Sequence, residues 1–242
     1  MEGPSIHNLQ EKLRIFLNNK ISTAFGNAKF DKEELVGQKI KDIYAFGKRL
    51  IIQLDTHALV THFLMYGSFR MDEERTDRIP RLALITTKHS LFFYSCSVKC
   101  IKTKNLKGEL PLDFDILSAN WDIKKIVVTI KKNPQETLDD ILLDQEIFPG
   151  VGNIIKNEAL ALSFLNPQKK VGRLSVKKIT ELAQNARNFS QLFFNHYDSW
   201  SLLKKELLVY GRKNCARCGS PIIRKQTGKR NRRSFICPQC QK

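Results

Sequence analysis

The chain has 242 residues, 42% of them hydrophobic, which is ordinary for a soluble globular protein and enough for two domains with a small extra module. Its 41 basic residues against 24 acidic ones leave a net charge of +17, which favours a polyanionic partner, most often nucleic acid, over a membrane surface or a merely solvated basic exterior. No apolar run approaches the roughly 20 residues of a membrane span, and the N-terminus lacks the basic-then-apolar order of a secretory signal.

Residues Met1-Glu2-Gly3-Pro4 place a turn just behind the terminus. Ile6, Leu9, Leu13, Phe16 and Leu17 then recur at helical spacing, which predicts a helix over Ser5 to Asn19 with Ser5 as its cap. Glu2 is bulky, so Met1 is expected to be retained, and a packed helix would hold its α-amine in place. By sequence physics alone, a frayed terminus with no role is the competing reading.

From about Glu34 to Ile101 the pattern changes. Leu50 to Leu54, Ala58 to Val60, Leu82 to Ile85 and Leu91 to Tyr94 are short apolar runs between turns. They predict a sandwich or barrel of about six to eight strands. Lys48 and Arg49 stand directly before one of these strands, where a lysine can simply snorkel to water. The cluster His62-Phe63-Leu64-Met65-Tyr66-Gly67 is either core or, on a DNA-binding face, a wedge for a base stack.

Lys107 to Pro134 is expected to be a linker. Helical patterns follow at Glu136 to Gln145, Ile154 to Leu162 and Ser175 to Phe194, with Pro167 ending the second. Between the first two, Pro149-Gly150-Val151-Gly152-Asn153 opens a helix with backbone N–H groups that suit a phosphate, a weak signal by itself.

The C-terminal 28 residues carry the strongest motif. Cys215-Ala216-Arg217-Cys218 and Cys237-Pro238-Gln239-Cys240 are separated by eighteen residues, a spacing that matches a four-thiolate zinc site. The segment between them carries Arg224, Lys225, Lys229, Arg230, Arg232 and Arg233 around a turn-like Thr227-Gly228, and predicts a hairpin with a cationic tip. A module this short buries little apolar surface, so metal must supply its fold. A metal-free pair of disulfides, or a knuckle whose tip charges are only solvated, are the alternatives. Cys96 and Cys100 remain outside the motif, and reduced thiols suit an intracellular compartment.

Taken together these segments resemble the formamidopyrimidine-DNA glycosylase / endonuclease VIII (Fpg/Nei) family. Leu142 to Gln145 with Pro149 to Ile154 and Glu158-Ala159-Leu160 is similar to the family's helix–two-turn–helix signature. Val209 to Arg212 with Cys215 to Gly219, and Arg232 with Ser234 to Gln241, are similar to the two ends of its zinc finger. Met1-Glu2-Gly3-Pro4 resembles its N-terminus without the leading proline, and Leu64-Met65-Tyr66-Gly67 and Tyr94-Ser95 lean towards the endonuclease VIII branch.

The resemblance implies an α+β multidomain fold: an N-terminal helix and β-sandwich catalytic domain over 1–112, a linker over 113–135, a helix–two-turn–helix domain over 136–210 and a zinc finger over 211–242. It implies a structural Zn2+ on Cys215, Cys218, Cys237 and Cys240. It also implies a monomer that removes oxidised bases, pyrimidines above all, from DNA and cuts the strand through a Schiff base. Met1 would be the amine nucleophile, Glu2 the proton carrier and Lys48 a phosphate contact beside the lesion. Asn153, Arg232, Gly150 and Gly152 would hold DNA, and Leu64, Met65 and Tyr66 would fill the gap left by an everted base.

Departures from the family pattern are also legible. Ser5 stands where a second glutamate is usual, and Asp139 where a phosphate-binding lysine is usual. Val98-Lys99 follow where the endonuclease VIII counterpart ends acidic, and Asn188 to Leu208 is too short for the long loop that caps the base in Fpg. These departures motivate two further readings: a damaged-DNA-binding protein without catalysis, and a glycosylase for bulky lesions such as interstrand crosslinks.

Overall fold

The computed structural model describes residues 1–109, 111 and 114–242. The chain divides into two compact units, one of Met1 and Ser5–Pro111, the other of Glu2–Pro4 and Leu112–Lys242.

The first unit is a pair of antiparallel sheets. It opens with the helix α1 (Gly3–Leu13), whose residues from Ser5 onward belong to this unit, and a 3-10 turn at Arg14–Phe16. One sheet has the order β1 (Ile21–Phe25), β6 (Leu82–Thr86), β7 (Ser90–Tyr94), β5 (Ser68–Met71). The other has the order β2 (Asp42–Phe46), β3 (Arg49–Gln53), β4 (His57–His62), β8 (Ser97–Lys102). Side chains alternate across each strand. Leu50 and Ile52 of β3 enter the main core with Leu91 and Phe93 of β7 and with Ile6, Leu9 and Leu13 of α1. Ile51 faces the other way and packs with Phe46, Ala58 and Leu106 of the short helix α2 (Thr103–Glu109). Burial on both faces is why β3 reads as a continuous apolar run. Each fully buried Leu, Ile or Phe contributes about 1.5–3 kcal/mol.

Two expectations are corrected here. α1 starts at Gly3, so Ser5 lies inside the helix and is buried, not a cap, and the regular helix stops at Leu13. Strand β1 precedes the region expected to hold the strands.

The second unit is helical with a small hairpin. Its helices are α3 (Ile123–Lys131), α4 (Leu138–Leu143), α5 (Asn153–Leu162), α6 (Val176–Asn195) and α7 (Trp200–Glu206). Strands β9 (Ile223–Thr227) and β10 (Arg232–Ile236) pair antiparallel. Asp122, Thr137 and Ser175 cap α3, α4 and α6, each accepting a first-turn N–H. Such caps contribute about 1 kcal/mol apiece. Ile126, Ile130, Leu142, Ile155, Leu182 and Ala186 meet in one core.

The stretch read as linker over 113–135 therefore contains α3, whose apolar face is buried. α5 ends at Leu162, before Pro167, where Phe164 turns to φ 57°. Between Asn188 and Leu208, α6 runs on to Asn195 and α7 occupies most of the rest. Among the described residues, no helix is long and apolar enough to cross a membrane.

Candidate functional site

In the first unit, Lys48 sits in the two-residue turn between β2 and β3, with Gly47 at φ 56°. A glycine at the first position of such a turn supplies the positive φ that the hairpin twist favours. Lys48 is half-buried and Met1 is 37% exposed. His62 at the end of β4 lies in the field of Lys48, the N-terminal amine and Arg49. Burial is the first cause that holds the His62 imidazole below its ordinary pKa, and those three cations add to it. His62 Nδ1 accepts the N–H of Leu64 at 3.1 Å, which places the remaining proton of the neutral ring on Nε2.

That bond supports an unusual turn. Leu64 has φ 52°, and the Gly67 N–H donates to the Phe63 carbonyl at 2.7 Å. The turn carries Leu64, Met65 and Tyr66 at 54%, 63% and 83% exposure. All three are exposed, so the core alternative for these residues falls. Phe63, by contrast, is buried beside Phe93.

In the second unit, Glu2 occupies the N-terminus of α5. Its carboxylate accepts the N–H groups of Ile154 at 2.7 Å, Gly152 at 3.1 Å and Ile155 at 3.3 Å. The Gly3 N–H donates to the Gly150 carbonyl at 2.8 Å. A helix N-terminus favours an anion. Here that anion belongs to the chain, so the N–H groups expected to await a phosphate at Gly152 are already engaged. Gly150 donates its own N–H to Gln145. A Cβ at Gly152 would lie 2.6 Å from Glu2 Oε1, so glycine there gives the carboxylate its room. Gly150 has φ +98°, which the turn between α4 and α5 requires.

Asn153 begins α5 and donates from Nδ2 to the Arg233 carbonyl at 3.0 Å. Asn157, one turn later, accepts the Phe235 N–H at 2.8 Å. β10 thus lies along α5, and Arg232 stands at its exposed first position opposite Thr227. Tyr210 packs on Phe235 at 4.9 Å, and burial followed by the Glu2 charge pushes its phenol pKa up.

The four motif cysteines converge. Their sulfurs all lie within 4.8 Å of one another, and Cys218 and Cys237 are 3.4 Å apart. All six cysteines of the chain are free thiols, so the disulfide alternative is not what is seen. The set can hold a metal ion. Phe235, Val209 and Ala161 pack around Cys215 and Cys237. Cys96 and Cys100 lie elsewhere, and burial pushes both thiols up to about 11.

Three groups organise these sites through partners that the sequence did not reveal. His62 supports the Leu64 turn. Glu158 on α5 is buried and accepts the N–H groups of Leu208, Val209 and Tyr210, which lead into the cysteines. Asp139 is 1% exposed and paired with Lys156 at 2.6 Å, so it is no surface anion in a phosphate clamp. A carboxylate in an apolar helix, Glu158, and a lysine in the same helix, Lys156, were the available signals.

The family model described as Formamidopyrimidine-DNA glycosylase N-terminal domain matches residues 6–97. A formamidopyrimidine-DNA glycosylase of Pasteurella multocida is 30% identical over 267 residues, covering 100% of this chain and 93% of that protein. The chain belongs to the Fpg/Nei family. Endonuclease 8-like 3 of Xenopus laevis is 34% identical over 92% of this chain, and that of Mus musculus 36% identical over 85%. The chain spans only 38% and 35% of the length of those two relatives. Lactococcus lactis Fpg, solved with abasic-site DNA, has the same fold at a TM-score of 0.88 and 23% identity, covering 100% of this chain and 99% of that one.

Proposed function

We propose that the chain is a base-excision-repair DNA glycosylase with AP-lyase activity, acting on oxidised bases and, from its motif resemblance to the endonuclease VIII branch, chiefly pyrimidines. The observation that carries this reading is Glu2, held by the N–H groups of Gly152, Ile154 and Ile155 at the start of α5 and joined by one peptide bond to Met1. A carboxylate fixed at that distance along the chain from an α-amine is what the reaction needs.

The amine lone pair attacks C1′ of the damaged nucleoside, the C1′–N bond breaks and the base leaves with that electron pair and a proton. The Glu2 carboxylate then takes a proton from the ammonium that the attack creates and passes it to the ring oxygen as the C1′–O bond breaks and the sugar opens, which yields the Schiff base, and proton removal from C2′ expels the 3′ phosphate. An α-amine has an unperturbed pKa of about 7.7–8.0, so an appreciable fraction is unprotonated at neutral pH. Lys48 contacts the phosphate beside the lesion. Asn153 and Arg232 hold the flanking backbone, and Leu64, Met65 and Tyr66 enter the gap in the stack.

The four thiolates hold zinc, the metal that an all-sulfur set of this spacing suits best. Its role is structural: it closes the base of the β9–β10 hairpin.

Borohydride trapping on abasic-site DNA tests the reading. An adduct mapped by peptide mass spectrometry to the Met1 α-amine is the expected result. Protein that binds this DNA and keeps its Met1 terminus, yet traps nothing, would leave a damage-binding protein without catalysis.

A further inference from the structure

Lys156 and Asp139 form a charged pair sealed inside the second unit. Lys156 comes from α5 and Asp139 from α4, with side chains 0% and 1% exposed. Lys156 Nζ also donates to Ser234 Oγ at 2.8 Å, and Thr227 Oγ1 donates to Asp139 Oδ2 at 2.8 Å. The two hydroxyls lie 2.5 Å apart. Thr227 ends β9 and is the cross-strand partner of Arg232, while Ser234 is two residues beyond Arg232 on β10. The pair therefore grips both arms of the hairpin around the residue proposed to hold DNA. Burial lowers the Lys156 pKa first, the Asp139 charge opposes that, and Arg232 lies near enough to lower it further.

A buried ion pair is a poor source of net stability, because desolvation offsets most of the attraction. Its directional bonds are another matter: they fix hydroxyls that an apolar pair would leave unheld. We infer that Asp139 and Lys156 are positioning residues for Arg232, setting the hairpin backbone so that its guanidinium meets a DNA phosphate. The inference rests on the DNA-binding role proposed for Arg232. It also gives Asp139 a function: the carboxylate that removes a cation from the clamp orients another one.

The test uses the full metal-loaded chain and an abasic-site duplex, with affinity measured over a range of salt. Arg232→Ala is the reference and is expected to flatten the plot of log affinity against log salt by about 0.9, one phosphate contact. Asp139→Leu with Lys156→Met replaces the pair by apolar side chains of similar size. It is expected to keep wild-type circular dichroism and zinc content, yet to bind several-fold more weakly with the same flattened slope. Adding Arg232→Ala to it should cost little more, whereas a merely stabilising pair would give additive losses. Thr227→Val breaks the link to β9 alone and serves if the double variant fails to fold; it should flatten the slope in part. Wild-type affinity and slope in either folded variant, or additivity with Arg232→Ala, would overturn the inference. An unchanged slope in Arg232→Ala itself would overturn the proposed DNA contact, and this inference with it.

Discussion

The Glu2 carboxylate accepts the N–H of Ile154 at 2.7 Å, a bond between residues 152 positions apart in the chain. Gly152 leaves the space for it, so Gly152→Ala should push Glu2 from its seat without removing any ionisable group. Loss of positioned proton transfer is expected to slow incision by about 10²–10⁴-fold. DNA affinity, assigned above to the proposed phosphate contacts, should hold. Single-turnover incision and a binding isotherm on the same variant separate the two, and wild-type incision would show that the seat is dispensable.

His62 gives a pH dependence with a definite sign. Its folded pKa lies below the unfolded value of about 6.5, so the unfolded chain binds more protons below that pH. The stability that neutral His62 contributes is complete above about pH 6.5 and is lost as pH falls towards the folded pKa. Protonating Nδ1 also removes the acceptor for the Leu64 N–H. Thermal unfolding should show a midpoint that drops on acidification through this window. His62→Gln should lessen the drop, and amide exchange at Leu64 should quicken in wild-type protein over the same range. An exchange rate following only the intrinsic pH trend would remove His62 from the turn.

Much of this molecule was legible because its signals are local. The cysteine spacing, the helical repeat of Ile6, Leu9 and Leu13, and the apolar runs of β3 and β7 each arise within a single element. α3 was not read because Lys124, Lys125, Lys131 and Lys132 flank its core positions, and the charge run resembled linker. The N–H groups of the Gly152 turn were legible as an anion site, but the anion was not. Glu2 reaches them only through the tertiary fold, and no short-range pattern announces a partner 150 residues away. The partner of Asp139 was hidden for the same reason: whether a carboxylate faces solvent or Lys156 depends on how α4 and α5 pack.

Glu158 should be a strong stability determinant. Its buried carboxylate satisfies the N–H groups of Leu208, Val209 and Tyr210 at 2.6, 3.0 and 2.7 Å. Glu158→Ala would strand these donors where water is scarce, at about 1–3 kcal/mol for each buried donor left without a partner. Chemical denaturation should show a large loss, and zinc should leave faster in a chelator competition, because this segment leads directly to Cys215. Unchanged zinc release would separate the Glu158 bonds from the metal module.

The hairpin turn offers the most local test. Gly228 has φ +68°, and a Cβ there would lie 2.5 Å from Asp139 Oδ2 and 2.7 Å from Asp140 Oδ1. Asp140 Oδ1 accepts the neighbouring Lys229 N–H at 2.7 Å, and Lys229 Nζ reaches Glu136 at 2.6 Å, so the turn is tied to α4 and its approach. Gly228→Ala meets both a left-handed backbone, about 1–2 kcal/mol for a residue with a Cβ, and this steric block. It should lower the unfolding midpoint and weaken DNA binding together, since the turn and the grip on Thr227 shift as one. Arg230→Ala, which changes the same turn without steric demand, should leave the midpoint within experimental scatter. A Gly228→Ala protein as stable as wild type would mean that the hairpin can lift from α4 at little cost, and that the carboxylates of α4 do not hold it.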